Sequence, residues 1–408
     1  MTYGSSFIKR PTHKLLHSGN CDIKWIVHGQ GVFLWKSENE KECFFCVYDA
    51  DMKNGLHIKL TPKSVNIVTL PAHEELVDLN NSTGLVNKDG AYYWFSLDSQ
   101  NQVLSVGVGE ARVETLIYKY AFKHSEKNKQ FLESLVSINI ADKATVPMKI
   151  LRDPITRAVP LLIKDMHQLT MDIVSEFKIL PKANLSATAQ QLYDCIAGRK
   201  FILDSPDFPE FSKAIEHSIA TPGLWCNKQL LRKATEFSKD KPNYLETYLR
   251  ITLGDNNGES PGIPYVMEIW PPNHYSPVHN HGGSHAVIRV LHGAINVSLF
   301  PFLSGGKAGS EAFAKTEFKK GDVTWISPTL NQVHQLHNIN KKNTCITIQC
   351  YMFGQDNTSH YDYFDYIDAD GATQQYEPDS DMSFQEFKAT MKREWEEQRA
   401  KRKCFVWF

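Results

Sequence analysis

Short runs of apolar, β-branched and aromatic residues set the pattern from residue 20 to about 122. Ile23-Lys24-Trp25-Ile26-Val27, Gly31-Val32-Phe33-Leu34-Trp35 and Cys43 to Tyr48 are separated by turn-like pieces, His28-Gly29-Gln30 and Lys36 to Glu42. Ala91 to Leu97 and Val103 to Gly109 follow, joined by a turn over Asp98 to Gln102. Strands at this spacing predict a β-sandwich. Residues 1–125 therefore read as one β-sandwich domain, a candidate binding module without a cluster of catalytic groups.

Residues 126–184 read as a connector, with a strand over Val136 to Ile140 and a helical run from Val159 to Lys178. From Ser186 the period changes. Ala189, Leu192, Cys195 and Ile196 share one face of a helix over Ala187 to Ala197, and further helices are expected over Phe208–Ile219 and Lys228–Ser238. Arg250-Ile251-Thr252-Leu253 opens a second all-β stretch. Its strands are expected at Pro264–Ile269, Ala286–Leu291, Ala294–Phe300, Val323–Ile326 and Thr344–Phe353. A helical preface followed by a meander of short strands predicts a barrel or jelly roll over residues 185–370. In the tail, residues 371–408, Ser383-x-x-Glu386 forms a capping box, and Phe384, Phe387, Met391 and Trp395 recur at helical spacing. A docked packing helix is expected there, ending in a basic and then aromatic run from Lys401 to Phe408. The fold class is thus mainly β: a sandwich, then a jelly-roll barrel with a helical preface and a C-terminal helix.

Composition narrows the function. Lys+Arg total 45 against 46 Asp+Glu, so no global basic field attracts nucleic acid or anionic lipid. No apolar run approaches the ~20 residues of a membrane span, and the N-terminus lacks a signal-peptide core. The eight cysteines are scattered, which suits reduced thiols and a cytoplasmic location. Cys43-x-x-Cys46 has no second pair at zinc-finger spacing and reads as part of a buried strand. Histidine is the uneven residue: seven of sixteen fall between His274 and His337.

That concentration centres on Pro277-Val278-His279-Asn280-His281-Gly282-Gly283-Ser284-His285-Ala286. A period of two on a strand places His279 and His281 on one face, where two imidazoles chelate one divalent ion. His334, on a loop returning into a strand after Pro328, is the best third ligand. Three neutral imidazoles suit Fe, Zn, Cu or Ni and leave open positions with the full metal charge. The plain alternative is three hydrogen-bonded core histidines without a metal.

The two halves together, His-x-His through Gly293 and Gly321 through His334-x-x-x-Asn338, resemble the two motifs of the cupin superfamily, with Ala286 at the position of the usual glutamate. Tyr248-Leu249-Arg250, Val278-His279-Asn280-His281 with Ser284-His285, His334-x-x-x-Asn338 and Gln349-Cys350-Tyr351 resemble cysteine dioxygenase, the cupin-fold thiol dioxygenase, over roughly residues 185–370. The resemblance implies Fe(2+) on His279, His281 and His334, and oxidation of cysteine with O2 to cysteine sulfinate, in cysteine catabolism and taurine biosynthesis. It implies that Arg250 and Tyr248 hold the substrate carboxylate and that Tyr351 projects its phenol towards the iron. Two positions depart from the family. Ala286 stands where animal members have the cysteine that joins the tyrosine, so no Cys–Tyr cofactor is expected. Thr347-x-Gln349-x-Tyr351 replaces Ser-x-His-x-Tyr; alternation keeps all three on one face, but Gln349 donates and accepts hydrogen bonds without titrating near neutrality. The alternatives are a dioxygenase of another small thiol carboxylate, such as 3-mercaptopropionate, and a cupin without turnover that serves as a binding or scaffolding module. The N-terminal Tyr93-Trp94-Phe95-Ser96 and Val106-Gly107-Val108-Gly109-Glu110 resemble the small domain named after farnesoic acid O-methyltransferase, from which no methyltransferase activity is carried over. The glycines there do not open a helix, so they are not a nucleotide-binding fingerprint.

Overall fold

A computed structural model describes residues 13–16, 22–36, 42–77, 92–140, 148–238, 241–253, 264–303, 311–352 and 364–405. The chain divides into two compact units, residues 1–158 and 159–408.

The first unit is a sandwich of two six-stranded sheets. One has the strand order His13–Leu16, Met148–Leu151, Gln30–Lys36, Tyr92–Asp98, Val103–Val108, Leu116–Ala121. The other runs Asp22–Lys24, Ser137–Ile140, Cys43–Tyr48, Gly55–Thr61, Ser64–Leu70, Glu75–Leu76. Aromatic rings join the layers. Phe45 of the second sheet meets Phe33, Trp35 and Phe95 of the first at centroid distances of 5.5, 5.0 and 5.6 Å. Each such buried ring contributes roughly 1.5–3 kcal/mol. Cys43 and Cys46 are three apart on one strand, so they point to opposite faces and share no ligand. Gly107 lies under the Trp94 indole: a Cβ there would come within 2.1 Å of the ring. The glycine of that motif is thus a packing requirement.

The segment read as a connector is divided between the units. Helix Glu126–Ser134, capped by the Ser125 hydroxyl, and strands Ser137–Ile140 and Met148–Leu151 belong to the first unit. Strands Leu162–Lys164 and Ile179–Pro181 pair in parallel in the second. The helical run expected over Val159 to Lys178 is only a 3-10 turn, Met166–Gln168, and a short helix, Met171–Ser175. Asp165 and Thr170 explain this. Their side chains accept from the His167 and Ile173 N–H groups, so each starts a new turn in place of one helix.

In the second unit, helices Ala187–Ile196, Phe211–Ala220 and Trp225–Arg232 precede the barrel. The larger sheet runs Val323–Ile326, His285–His292, Cys345–Met352, Tyr265–Trp270, Leu249–Leu253, Met382–Ser383; the smaller runs Ala314–Lys319, Ala294–Leu299, His334–His337. The period of two sorts the larger sheet. Ile251, Met267, Ile269, Val287, Ile346, Ile348 and Cys350 form one core with Leu192, Ile196, Ile215 and Leu230 of the helices. The intervening residues face the smaller sheet, where Val290 packs with Ile295, Phe318 and Leu336. Helix Phe384–Phe405 seals the outer layer with Phe387 and Met391 fully buried, and the Trp395 indole donates to Glu210 at 3.1 Å. Ser383 donates to Glu386 at 2.9 Å, a side-chain-to-side-chain bond and not one of the backbone-to-side-chain bonds of the expected capping box. The aromatic end at Val406, Trp407 and Phe408 lies outside the described residues. Among the described residues, no helix is long and apolar enough to cross a membrane. The chain is mainly β, a sandwich followed by a barrel of a six-stranded and a three-stranded sheet with a C-terminal helix.

Candidate metal centre

His279 does not sit on a regular strand, as the alternation predicted, but at an isolated bridge between two other segments. It exchanges both backbone hydrogen bonds with His334, each 3.0 Å, and is bridged on its other side to Tyr366. Asn280 N–H donates to the Asp365 carbonyl at 2.9 Å, so the segment is threaded between strands His334–His337 and Phe364–Ile367. The chain then reverses over His281 to Ser284. Gly282 and Gly283 have φ of 59° and 78°, and Ser284 N–H returns to the His281 carbonyl at 3.0 Å. Two successive positive φ values favour glycine, which explains Gly282-Gly283 after the second histidine. Gln332 fixes this turn, accepting from Gly283 N–H at 3.1 Å and donating to the Ser284 and Ser327 carbonyls at 2.9 and 2.7 Å.

The three rings converge. Their centroids lie 4.7 to 5.0 Å apart, and one nitrogen from each lies within 4.8 Å of the others. His279 Nδ1 is 3.0 Å from the Pro277 carbonyl and His334 Nδ1 is 3.0 Å from the Asn331 carbonyl. A carbonyl only accepts, so both Nδ1 atoms carry the proton and both Nε2 lone pairs face the cluster. His281 Nε2 and His334 Nε2 are 3.1 Å apart. Two nitrogens each about 2.1 Å from one ion, at roughly a right angle, lie about 3.0 Å apart. The donor set and spacing fit a divalent first-row metal.

Burial keeps these rings neutral. It pushes His279 down to about 3, with help from the neighbouring His334 and Arg250 against the Pro277 carbonyl. It takes His334 to about 4 against the Asn331 carbonyl. His281 is held well below the usual range by burial, then by His334, His279 and Arg250. An unfolded chain protonates these residues near pH ~6.5. Below that it binds more protons than the folded metal-free chain, so stability should fall as pH drops from about 6.5 towards 4. Thermal unfolding of metal-free protein across this range checks the sign, and a midpoint that stays flat or rises would contradict three buried neutral imidazoles.

Around the cluster, Tyr351 stacks on His281 at 5.8 Å and Phe364 covers it at 4.5 Å. Tyr351 donates to Gln349 Oε1 at 3.0 Å; burial, then the Glu268 charge, raise its pKa. Ala286, fully buried, is directly opposite Tyr351 in register. Thr347, Gln349 and Tyr351 share the inner face, and the Thr347 hydroxyl is buried without a hydrogen-bond partner among the described residues. Tyr248 stacks on Trp270 at 4.3 Å and lines a small recess with His279, Tyr366 and Tyr376.

Arg250 holds an unexpected partner. Its Nη1 donates to Glu268 at 3.2 Å, and both side chains are buried. Its guanidinium lies 6.0 Å from the centre of the Tyr351 ring, and Nε has no hydrogen-bond partner among the described residues. Glu268 faces Arg250 on one side and Thr347 on the other in strand register. Burial pushes its carboxyl up, while Arg250, the Gln349 amide and Lys233 pull it back. The reading of the sequence missed Glu268, although a single acid inside Val266-Met267-Glu268-Ile269-Trp270, two residues before a tryptophan, is a legible signal. It also missed Asp381. That residue accepts the Arg250 N–H at 2.7 Å and donates its own N–H to the Arg250 carbonyl at 2.8 Å, while Gln229 and Lys233 hold its carboxylate.

No family model matches the sequence. Solved structures overlap part of the chain. Oxalate oxidase in complex with the substrate analogue glycolate matches at 16% identity and a TM-score of 0.21, over 26% of this chain and 51% of that one. A cupin-superfamily protein from Desulfitobacterium hafniense matches at 11% identity and a TM-score of 0.19, over 26% and 79%. The cupin domain of Cnp3 from Schizosaccharomyces pombe matches at 15% and 0.21, over 26% and 65%. The chain spans about half the length of the oxalate oxidase it overlaps.

Proposed function

We propose that the second unit is a non-haem iron thiol dioxygenase that converts cysteine and O2 to cysteine sulfinate. The observation that carries the reading is one continuous arrangement: three neutral imidazoles, the Tyr351 phenol stacked on one of them, and the Arg250 guanidinium over that phenol. A ferrous ion on the three nitrogens would supply thiol ionisation and oxygen activation. The residues of the chain supply position and charge. Arg250 offers its remaining N–H groups, including the unpartnered Nε, to a carboxylate. Glu268 fixes the other edge of the guanidinium and so sets its plane. Gln349 holds the Tyr351 hydroxyl proton without taking it, because an amide does not titrate near neutrality. Tyr248 and Thr347 border the carboxylate seat. One thiol and one O2 give one sulfinic acid, both oxygen atoms ending on sulfur.

The Arg250–Glu268 pair favours a second reading, turnover of a different small thiol, because the cation is already half neutralised. Oxygen uptake with cysteine, cysteamine and 3-mercaptopropionate separates the two, with mass spectrometry for a gain of two oxygens. Cysteine is expected to be turned over fastest. A preference for cysteamine would transfer the assignment to an amine thiol. No uptake with any of the three, by protein carrying iron, would leave a metal-binding module.

A further inference from the structure

A second cavity lies inside the barrel, distinct from the recess beside Tyr248. Its volume is about 40 Å³, and its walls are mainly aliphatic and aromatic, among them Ile288, Val297 and Phe318. Its lining includes His334 and Gln349, which are 5% and 4% exposed. It also includes Leu161 and Asp322, both half-buried, with Lys164 3.8 Å from Asp322. The cavity is thus bordered both by a histidine of the cluster and by half-buried residues of the barrel wall.

The chemistry of the walls selects the guest. Beside the polar edges of Thr324, Asn331, His334 and Gln349 the aliphatic and aromatic walls dominate, and such a surface takes up apolar guests such as xenon. A zwitterionic thiol would lose most of its hydration against these walls. The geometry points to this cavity as the route and holding site by which dioxygen reaches the cluster past His334, separate from the polar side at Arg250 where the thiol binds. The identity of the guest rests on the dioxygenase reading; the capacity for a small apolar guest does not.

The test uses xenon and nitric oxide on the full chain. Crystals pressurised with xenon should show it between Val297 and Phe318. Val297→Phe fills this space and should exclude it, whereas Val297→Ala should keep it. In ferrous-loaded protein, stopped-flow absorbance should show nitric oxide, an apolar surrogate for O2, arriving about tenfold more slowly in Val297→Phe than in wild type at equal iron content. It should arrive at the wild-type rate or faster in Val297→Ala. An empty cavity under xenon overturns the site. Xenon excluded with an unchanged nitric oxide rate overturns the route. Xenon bound in a chain that takes up no iron sinks the dioxygenase reading and upholds the site for apolar guests.

Discussion

Replacing His279 with alanine is expected to reduce ferrous loading to below about one tenth of wild type under the same anaerobic reconstitution, and oxygen uptake with it. Loss even of a group that only orients a metal ligand weakens metal sites about 10–100-fold, and a ligand itself weighs more. Among the described residues His279 also has no substitute in the cluster: it is one of the three imidazoles that meet, bridged by its backbone to His334. His337→Ala is the matched control. That ring rests on Tyr275 at 5.5 Å and is not part of the cluster, so its loss should leave iron content unchanged. Metal analysis of both variants, with circular dichroism to show that each folds, settles the matter. Equal iron in wild type and His279→Ala would remove the metal centre and with it the proposed reaction.

Breaking the Arg250–Glu268 pair should have the second-largest effect. Arg250→Ala leaves a carboxylate buried without its cation, and Glu268→Ala leaves the converse; either is expected to destabilise the second unit by about 3–5 kcal/mol. Replacing both, as Arg250→Met with Glu268→Leu, removes both charges together and should recover most of that loss, since a buried pair is often no more stabilising than apolar residues of its size. The same double variant should still bind iron, lose turnover of thiol carboxylates and keep any turnover of cysteamine. Urea unfolding and the substrate panel check the two halves. A double variant as unstable as the singles would mean that the pair is inseparable from Lys233 and Asp381 behind it. Equal losses for cysteine and cysteamine would show that Arg250 does not read a carboxylate.

The three histidines and their convergence were legible because spacing and the punctuation of glycine and proline survive in one sequence. The regular strand assumed for His279 was not, since an isolated bridge to Tyr366 depends on a segment almost ninety residues away. The alternation of Thr347, Gln349 and Tyr351 was legible because a strand buried on both faces still obeys a period of two. The helical run after Val159 misled, because apolar spacing counted for more than the caps at Asp165 and Thr170. Glu268 escaped because a charge within an apolar strand gains meaning only from its cross-strand partner, and register is a property of two segments. Asp381 escaped for the same reason, more strongly, being 131 residues from the arginine it holds.

The grip of Asp381 on both backbone groups of Arg250 orders events in time as well as space. Strand Leu249–Leu253 finds its parallel neighbour only in Met382–Ser383, so a nascent polypeptide that has left the ribosome as far as the third histidine still lacks the border of its first barrel strand. The segment carrying His279 waits for Phe364–Ile367, and the backbone of Arg250 is held only once the stretch beyond residue 380 has emerged and docked.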